Sequence, residues 1–208
     1  MKGVIIAAGY GVRLHPLTLD IPKALLEIGG RQLIHYPLNA LSSAGLSEIA
    51  VVVGYRAEKI MEALNGTHPN LRFIHNEHYD GDNALSLYAA RFFLADGPFV
   101  VCMGDHPITS GIIHRLLSTH RGGCVLCVDL EAWHPSQIRD ATRVLVDAAG
   151  NIAAIAKDLK VWNAIDTGVF MMNGDVFPAI ENLMERQGVR VGITDVVKYM
   201  RDSDNPFA

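Results

Sequence analysis

Cysteine is scarce in this chain of 208 residues: Cys102, Cys124 and Cys127 are an odd set without a framework of paired spacings. That excludes a disulfide-stapled secreted domain and suits a reducing compartment. Cys124 and Cys127 do form a C-x-x-C, which admits a redox or metal reading. They lie, however, in the apolar run 124–128 behind Gly122 and Gly123, which reads as a buried strand. A zinc site would want a second ligand pair, and none is evident. Long hydrophobic runs are missing too. The opening apolar stretch is too short for a signal-peptide core, and no later one nears the roughly 18 apolar residues of a membrane span. A soluble, cytoplasmic protein is expected. Nor is there an excess of one charge: 18 Lys and Arg stand against 22 Asp and Glu, a net charge of −4. Composition therefore makes no electrostatic case for nucleic acid or an anionic membrane as partner.

What is present is apolar residues, 50% of the chain, and 19 glycines. That is enough for one well-buried domain with close helix–sheet packing. Periodicity predicts strands at Gly3–Ala8, Glu48–Val53, Leu71–His75, Phe99–Met103, Cys124–Val128 and Val169–Met172, with a hairpin of Arg143–Val146 and Ile152–Ala156. It predicts helices over Gln32–Ala44 (stopped by Gly45), Ala57–Leu64, Asn83–Ala95, Gly111–His120, Asp175–Met184 and Thr194–Arg201. The segment Trp133–Asp140 carries no assignment. Alternation of this kind implies an α/β domain spanning residues 1–208, a mostly parallel twisted sheet with helices on both faces. No linker, repeat or low-complexity tract divides it.

The most informative stretch is Ala7-Ala-Gly-Tyr-Gly-Val-Arg-Leu-His-Pro-Leu-Thr18 followed by Pro22-Lys-Ala-Leu25. A buried strand empties into a turn where Gly9 and Gly11 let the backbone approach a ligand, and successive N–H groups can face phosphate oxygens. The third glycine of a dinucleotide fingerprint is absent, as is the Gly-Lys-Ser/Thr of a Walker A loop. Instead one loop receives two cations, Arg13 and Lys23, a planar fork and a point charge suited to different phosphate oxygens. The alternative is that both are solvated loop charges. Asp105, at the end of the strand Phe99–Met103, lies at the same strand-end surface. It is a hard carboxylate suited to Mg²⁺, or else the cap of a turn.

The glycine-loop segment resembles the signature of the sugar-phosphate nucleotidyltransferase family. The resemblance implies a Rossmann-like nucleotidyltransferase domain using Mg²⁺. In it Arg13 and Lys23 are catalytic, and Ala7, Ala8, Gly9, Gly11, Asn76, Asn83 and Ser86 help to hold the nucleotide, with Asp105 as metal ligand. The pattern around Asn76 and Asn83-Ala-Leu-Ser86 departs from the glycine-rich segment of glucose-1-phosphate enzymes. It is similar to the branch that activates non-sugar phosphates, mostly with CTP. With Lys157-Asp-Leu-Lys160 and Asp166-Thr-Gly168 it looks most like CTP:inositol-1-phosphate cytidylyltransferase domains. The partners implied are CTP, or another NTP, and a small phosphorylated acceptor, with transfer of CMP and release of pyrophosphate.

On the acceptor side, Lys157 and Lys160 either grip the phosphate or are surface charges. Asp166 and Thr167 would bind hydroxyls beside Gly168, and His106 either touches substrate or packs. Phosphocholine, an aminoalkyl phosphonate and a sugar-1-phosphate are the other acceptors, the cationic ones calling for an acidic cage or an aromatic one from Tyr79, Tyr88, Trp133 or Trp162. A non-catalytic nucleotide-sensing subunit is the reading from another class. The resemblance also implies a further strand with a second acidic metal ligand after the last helix. Asp202–Ala208 has no apolar run around its acids, so either the chain is shortened there or another residue serves.

Overall fold

The computed structural model of the chain describes residues 1–132, 134–203 and 207. β1 (Lys2–Ile6) leads through the glycine loop into a small hairpin, β2 (Glu27–Ile28) and β3 (Arg31–Gln32), then α1 (His35–Ser43), β4 (Glu48–Val53), α2 (Ala57–Leu64) and β5 (Leu71–His75). α3 (Asn83–Ala89) and the short α4 (Arg91–Leu94) return the chain to β6 (Phe99–Met103). These four long strands pair in parallel in the order β5-β4-β1-β6. The chain leaves β1 toward one side of the sheet and later comes back on the other, so strand order reverses beside β1. The crevice outside the carboxyl ends of β1 and β6 is where such a sheet takes its ligands.

After α5 (Ser110–Thr119) come β7 (Val125–Asp129), α6 (Pro135–Arg139), β8 (Arg143–Val146), β9 (Ile152–Ala156), β10 (Ala164–Met172), α7 (Val176–Gln187) and α8 (Ile193–Arg201). The sheet turns antiparallel here: β10 runs against β6 and also pairs with β7 and β8, and β8 pairs with β9.

The side-chain alternation of the strands feeds two cores. Val4 and Ile6 face one side with Leu87, Ile180 and Val197 of α3, α7 and α8. Ile5 faces the other with Leu41, Ile60 and Ile113 of α1, α2 and α5. The C-x-x-C is divided between these layers, Cys124 in the first and Cys127 against the second, so the two thiols cannot share a metal. Cys102 and Cys127 both pair with Val169 from opposite sides, roughly two strand spacings or 9–10 Å apart, beyond disulfide reach. Burial raises Cys124 and Cys127 to about 11, which leaves them inert thiols packed in a sheet.

Three elements depart from expectation for local reasons. The helix expected from Gln32 starts at His35, because Gly29 and Gly30 adopt positive φ and fold residues 27–32 into the hairpin. Its end is as expected: Gly45 N–H donates to the Ser42 carbonyl and Leu46 N–H to Leu41, a Schellman closure with Gly45 at φ 86°. The helix expected over 83–95 breaks at Ala90. The strand expected at 169–172 begins at Ala164, the added residues including a bulge that matters for the site. Residue 207, past the acids for which no apolar strand was expected, is a buried Phe207 in a parallel bridge with Cys124.

Candidate active site

The glycine loop is held from two sides. Ala7 N–H donates to the Val52 carbonyl and Tyr55 N–H to the Ala8 carbonyl, extending β1 toward β4. Gly11 has φ 66°, and a Cβ there would lie 3.0 Å from Cβ of Lys23 and 3.2 Å from the methyl of Thr18. Only glycine meets both demands. The buried Thr18 hydroxyl donates to the Gly11 carbonyl at 2.9 Å. From the α2 side, the Tyr55 hydroxyl donates to the Leu19 carbonyl and Lys59 to that of Asp20 at 2.6 Å. Tyr10 packs on Tyr55 and Tyr79, with ring centroids at 4.8 and 5.3 Å.

A cleft of about 1270 Å³ opens beyond the ends of β1 and β6. Single small-molecule sites run to roughly 300–1,000 Å³, so this one has room for two reactants. Seven aspartates and four lysine or arginine side chains line it, which makes it acidic overall.

On its floor Lys23 and Asp105 form a tight ion pair. Gly104 N–H donates to the Ile6 carbonyl at 2.8 Å and so fixes Asp105 relative to the glycine loop. Both side chains are about 30% exposed (31% and 27%), whereas Arg13 and Asp140, 4.0 Å apart, are 70% and 77% exposed. The first pair is part of the built site. The second is a surface contact worth little.

Behind Asp105, His106 Nδ1 lies 3.0 Å from the Thr167 carbonyl. A carbonyl only accepts, so this contact assigns the proton to Nδ1 and turns Nε2 toward Asp105 Oδ1 at 3.9 Å. Across the cleft the register of β10 shifts between Asp166 and Val169, a bulge that re-aims side chains. It is pinned four times. Asp166 N–H donates to the Thr142 carbonyl at 2.9 Å, and Gly168 N–H to Asp166 Oδ1 at 2.7 Å. The Thr167 hydroxyl donates to the Cys127 carbonyl at 2.7 Å, and the Thr167 carbonyl receives His106.

These two carboxylates are pushed in opposite directions. Burial pushes Asp105 up, but His106 and Lys23 more than offset it and hold its pKa below the ordinary carboxylate value. Burial dominates at Asp166 and raises it, against the Gly168 hydrogen bond and His106. By linkage, Asp105 contributes stability above its ordinary pKa that is lost as pH falls through its depressed folded value. Asp166 contributes stability below its ordinary pKa that is lost as pH rises through its raised one. Asp166→Asn, which keeps an acceptor for Gly168 N–H, is therefore expected to raise Tm at pH 8. The gain should shrink to nothing below the carboxylate range in thermal melts across pH. Asp105→Asn should do the opposite, losing Tm at neutral pH and little in acid.

Of the residues singled out from sequence, Gly9, Arg13, Lys23, Asn83, Ser86, Asp105, His106, Lys157 and the bulge Asp166–Gly168 all line this cleft. Ala7, Ala8 and Gly11 stand behind it as backbone of the loop. Asn76 also lies behind: it is buried, donating to Ser86 Oγ at 3.0 Å and accepting His78 N–H at 2.9 Å, so it braces Ser86. Lys160 is exposed on the turn after β9 and is not part of the lining. Among the aromatics, Tyr79 lines the cleft. Tyr88 instead donates to Glu181 at 2.6 Å, Trp162 lies 5.8 Å from the Arg143 guanidinium, and Trp133 falls outside the described residues. Sequence reasoning passed over Thr194, Asp195 and Lys198 of α8, which also line it. The signal was there in the polar stripe of that amphipathic helix.

Residues 3–193 match the family model described as a MobA-like NTP transferase domain. The chain belongs to that family. A bifunctional IPC transferase and DIPP synthase of Aquifex aeolicus is 32% identical over 185 residues, covering 88% of this chain and 42% of that protein. A mannose-1-phosphate guanyltransferase of Saccharomyces cerevisiae is 32% identical over 193 residues, covering 87% of this chain and 52% of that protein. The chain thus spans about two fifths to half the length of these curated relatives. The fold is that of the inositol-1-phosphate CTP transferase from T. maritima, with a TM-score of 0.85 at 24% identity over 99% of this chain and 83% of that one. No helix among the described residues is long and apolar enough to cross a membrane.

Proposed function

We propose that this domain transfers a nucleotidyl group from an NTP to a small phosphorylated alcohol, with CTP and inositol-1-phosphate as the pair best supported. The observation that carries the reading is the Lys23–Asp105 pair at the switch point of an NTP transferase fold, beneath a cleft with room for two reactants. A second acceptor reading, sugar-1-phosphate, draws support from the guanyltransferase relative. A quaternary amine would meet the acidic lining, but of the aromatic set only Tyr79 among the described residues faces the cleft. The same carboxylates, Asp166 among them, accept hydrogen bonds and so also suit a hydroxyl-rich acceptor.

The donor set fits Mg²⁺. Asp105 is one hard carboxylate facing the cleft, and the described residues contain no group of three or more ligands that would make an all-protein cage. Mg²⁺ typically takes one or two carboxylates and fills the rest with phosphate oxygens and water. When bound, the ion would offset charge on the phosphates. The protein's own part is positional. The glycine loop cradles the triphosphate, and Lys23 exchanges Asp105 for phosphate oxygens. Asp166 orients the acceptor's hydroxyls. An oxygen of the acceptor phosphate, already anionic because its second pKa is about 6, attacks the α-phosphorus. A new P–O bond forms there, the bond to the β-phosphate oxygen breaks, and pyrophosphate leaves with the electron pair. No general base is required, and catalysis rests on orientation and electrostatics.

The test is product identity by mass spectrometry after incubation with Mg²⁺, CTP and an equimolar mixture of inositol-1-phosphate, phosphocholine and mannose-1-phosphate. A CDP-linked inositol as the main product is expected. A main product on either competitor would reassign the acceptor.

A further inference from the structure

We infer that Lys198 of α8 is a specificity-determining residue that, together with Lys157, holds the phosphate of the acceptor. The inference rests on the nucleotidyl-transfer reading above and extends it to an element outside the motifs. α8 turns Ile193, Val196, Val197 and Met200 into the core, while Thr194 and Lys198, one turn apart on the same stripe, face the cleft. The helix is fixed at both ends. Asn83 Oδ1 accepts Ile193 N–H at 2.8 Å, and Asp195 caps the start by accepting Gly192 N–H at 3.0 Å. At the other end Arg201 donates to the Ala153 carbonyl of β9 at 3.2 Å, and β9 runs out at Ala156, immediately before Lys157. α8 and the strand that leads into Lys157 are therefore tied to each other.

The electrostatic state of Lys157 and Lys198 separates them from the other cations of the cleft. Lys23 is paired with Asp105, and Arg13 stands on the exposed loop with only a rim contact to Asp140 at 4.0 Å. Among the described residues neither Lys157 nor Lys198 makes an ion pair, and Asp195, the nearest carboxylate along α8, already has its Oδ2 on the helix cap. Lys198 is half-buried and Lys157 exposed, and neither charge is compensated by an ion pair among the described residues. In a cleft that is acidic overall, such a spot selects an anion, and two compact point charges suit the dianion of a phosphomonoester. Held by its non-attacking oxygens, that phosphate keeps one oxygen for the α-phosphorus. The Thr194 hydroxyl is a further donor on the same stripe.

Lys198→Met keeps the stem and removes the charge. A lost charge-assisted hydrogen bond is worth about 1.5–3 kcal/mol, so KM for the acceptor is expected to rise about 10–100-fold. KM for the nucleotide should stay within about twofold, and Lys198→Arg should recover part of the loss. Unchanged acceptor KM in Lys198→Met, or an equal rise in both constants, would overturn the assignment. A readout independent of turnover is calorimetric titration of inorganic phosphate into protein loaded with Mg²⁺ and a non-hydrolysable CTP analogue. Wild type is expected to bind phosphate, and Lys198→Met, checked to melt as wild type does, should not. If no acceptor is turned over by wild type, the transfer reading fails. The phosphate titration still decides the subsite: binding that depends on Lys198 upholds it, and binding that does not, or none, refutes it.

Discussion

Lys23→Met is expected to lower turnover by roughly 10²–10³-fold, the usual cost of removing one preorganised group that stabilises developing charge. Affinity for the nucleotide should fall far less, because the glycine-loop amides remain. The variant should also show a gain. In the free protein Lys23 occupies Asp105, so a divalent ion that arrives alone must displace an ammonium. With Lys23 gone, calorimetric titration of Mn²⁺ without nucleotide should report tighter binding than in wild type. Unchanged turnover would remove Lys23 from the chemistry. Unchanged metal affinity would mean that the ion pair does not gate Asp105.

Gly168→Ala carries the largest expected structural effect. Gly168 has φ 74°, a region that costs other residues of order 1–3 kcal/mol, and a Cβ there would sit 2.1 Å from His106 Nδ1 and 2.8 Å from a side-chain carbon of Met103. His106 cannot retreat without giving up the Thr167 carbonyl and its place behind Asp105. Strain and overpacking together are expected to cost about 3–5 kcal/mol, the second contributing ~1–3 on its own. At about 2–4 °C per kcal/mol for a chain of this size, Tm should drop by around 6–20 °C. Gly174→Ala, where an added Cβ meets nothing within 4 Å, is the control and should melt near wild type. A Gly168→Ala protein with wild-type Tm would show that the bulge relaxes freely.

Much of this was legible in the residues because local signals and global fold agree. The strand–glycine–loop order of residues 3–18, the carboxylate ending β6, and the alternation that splits Val4 from Ile5 each admit few alternatives. The losses have physical reasons. The helical spacing of the apolar residues after Gln32 hid the turn ahead of it, which Gly29 and Gly30 make by adopting positive φ. The bulge at Asp166–Gly168 left no trace in strand periodicity, because a register shift is defined by the partner strands. Asn76 has a side chain that looks like a ligand group, yet its hydrogen bonds are spent on Ser86 and His78. Lys198 sits amid ordinary helix polarity, and only the packing of α8 beside β9 gives it a place at the cleft.

The central claim is nucleotidyl transfer at the Lys23–Asp105 site, and acceptor-dependent pyrophosphate release in the presence of Mg²⁺ tests it most directly. CTP, UTP, dTTP, ATP and GTP would each be paired with inositol-1-phosphate, phosphocholine and a sugar-1-phosphate. Release with CTP that requires the acceptor, and that Asp105→Asn abolishes, is the expected result. Nucleotide bound in calorimetry but no pyrophosphate from any pair would contradict the claim and leave a nucleotide-binding domain without transfer activity.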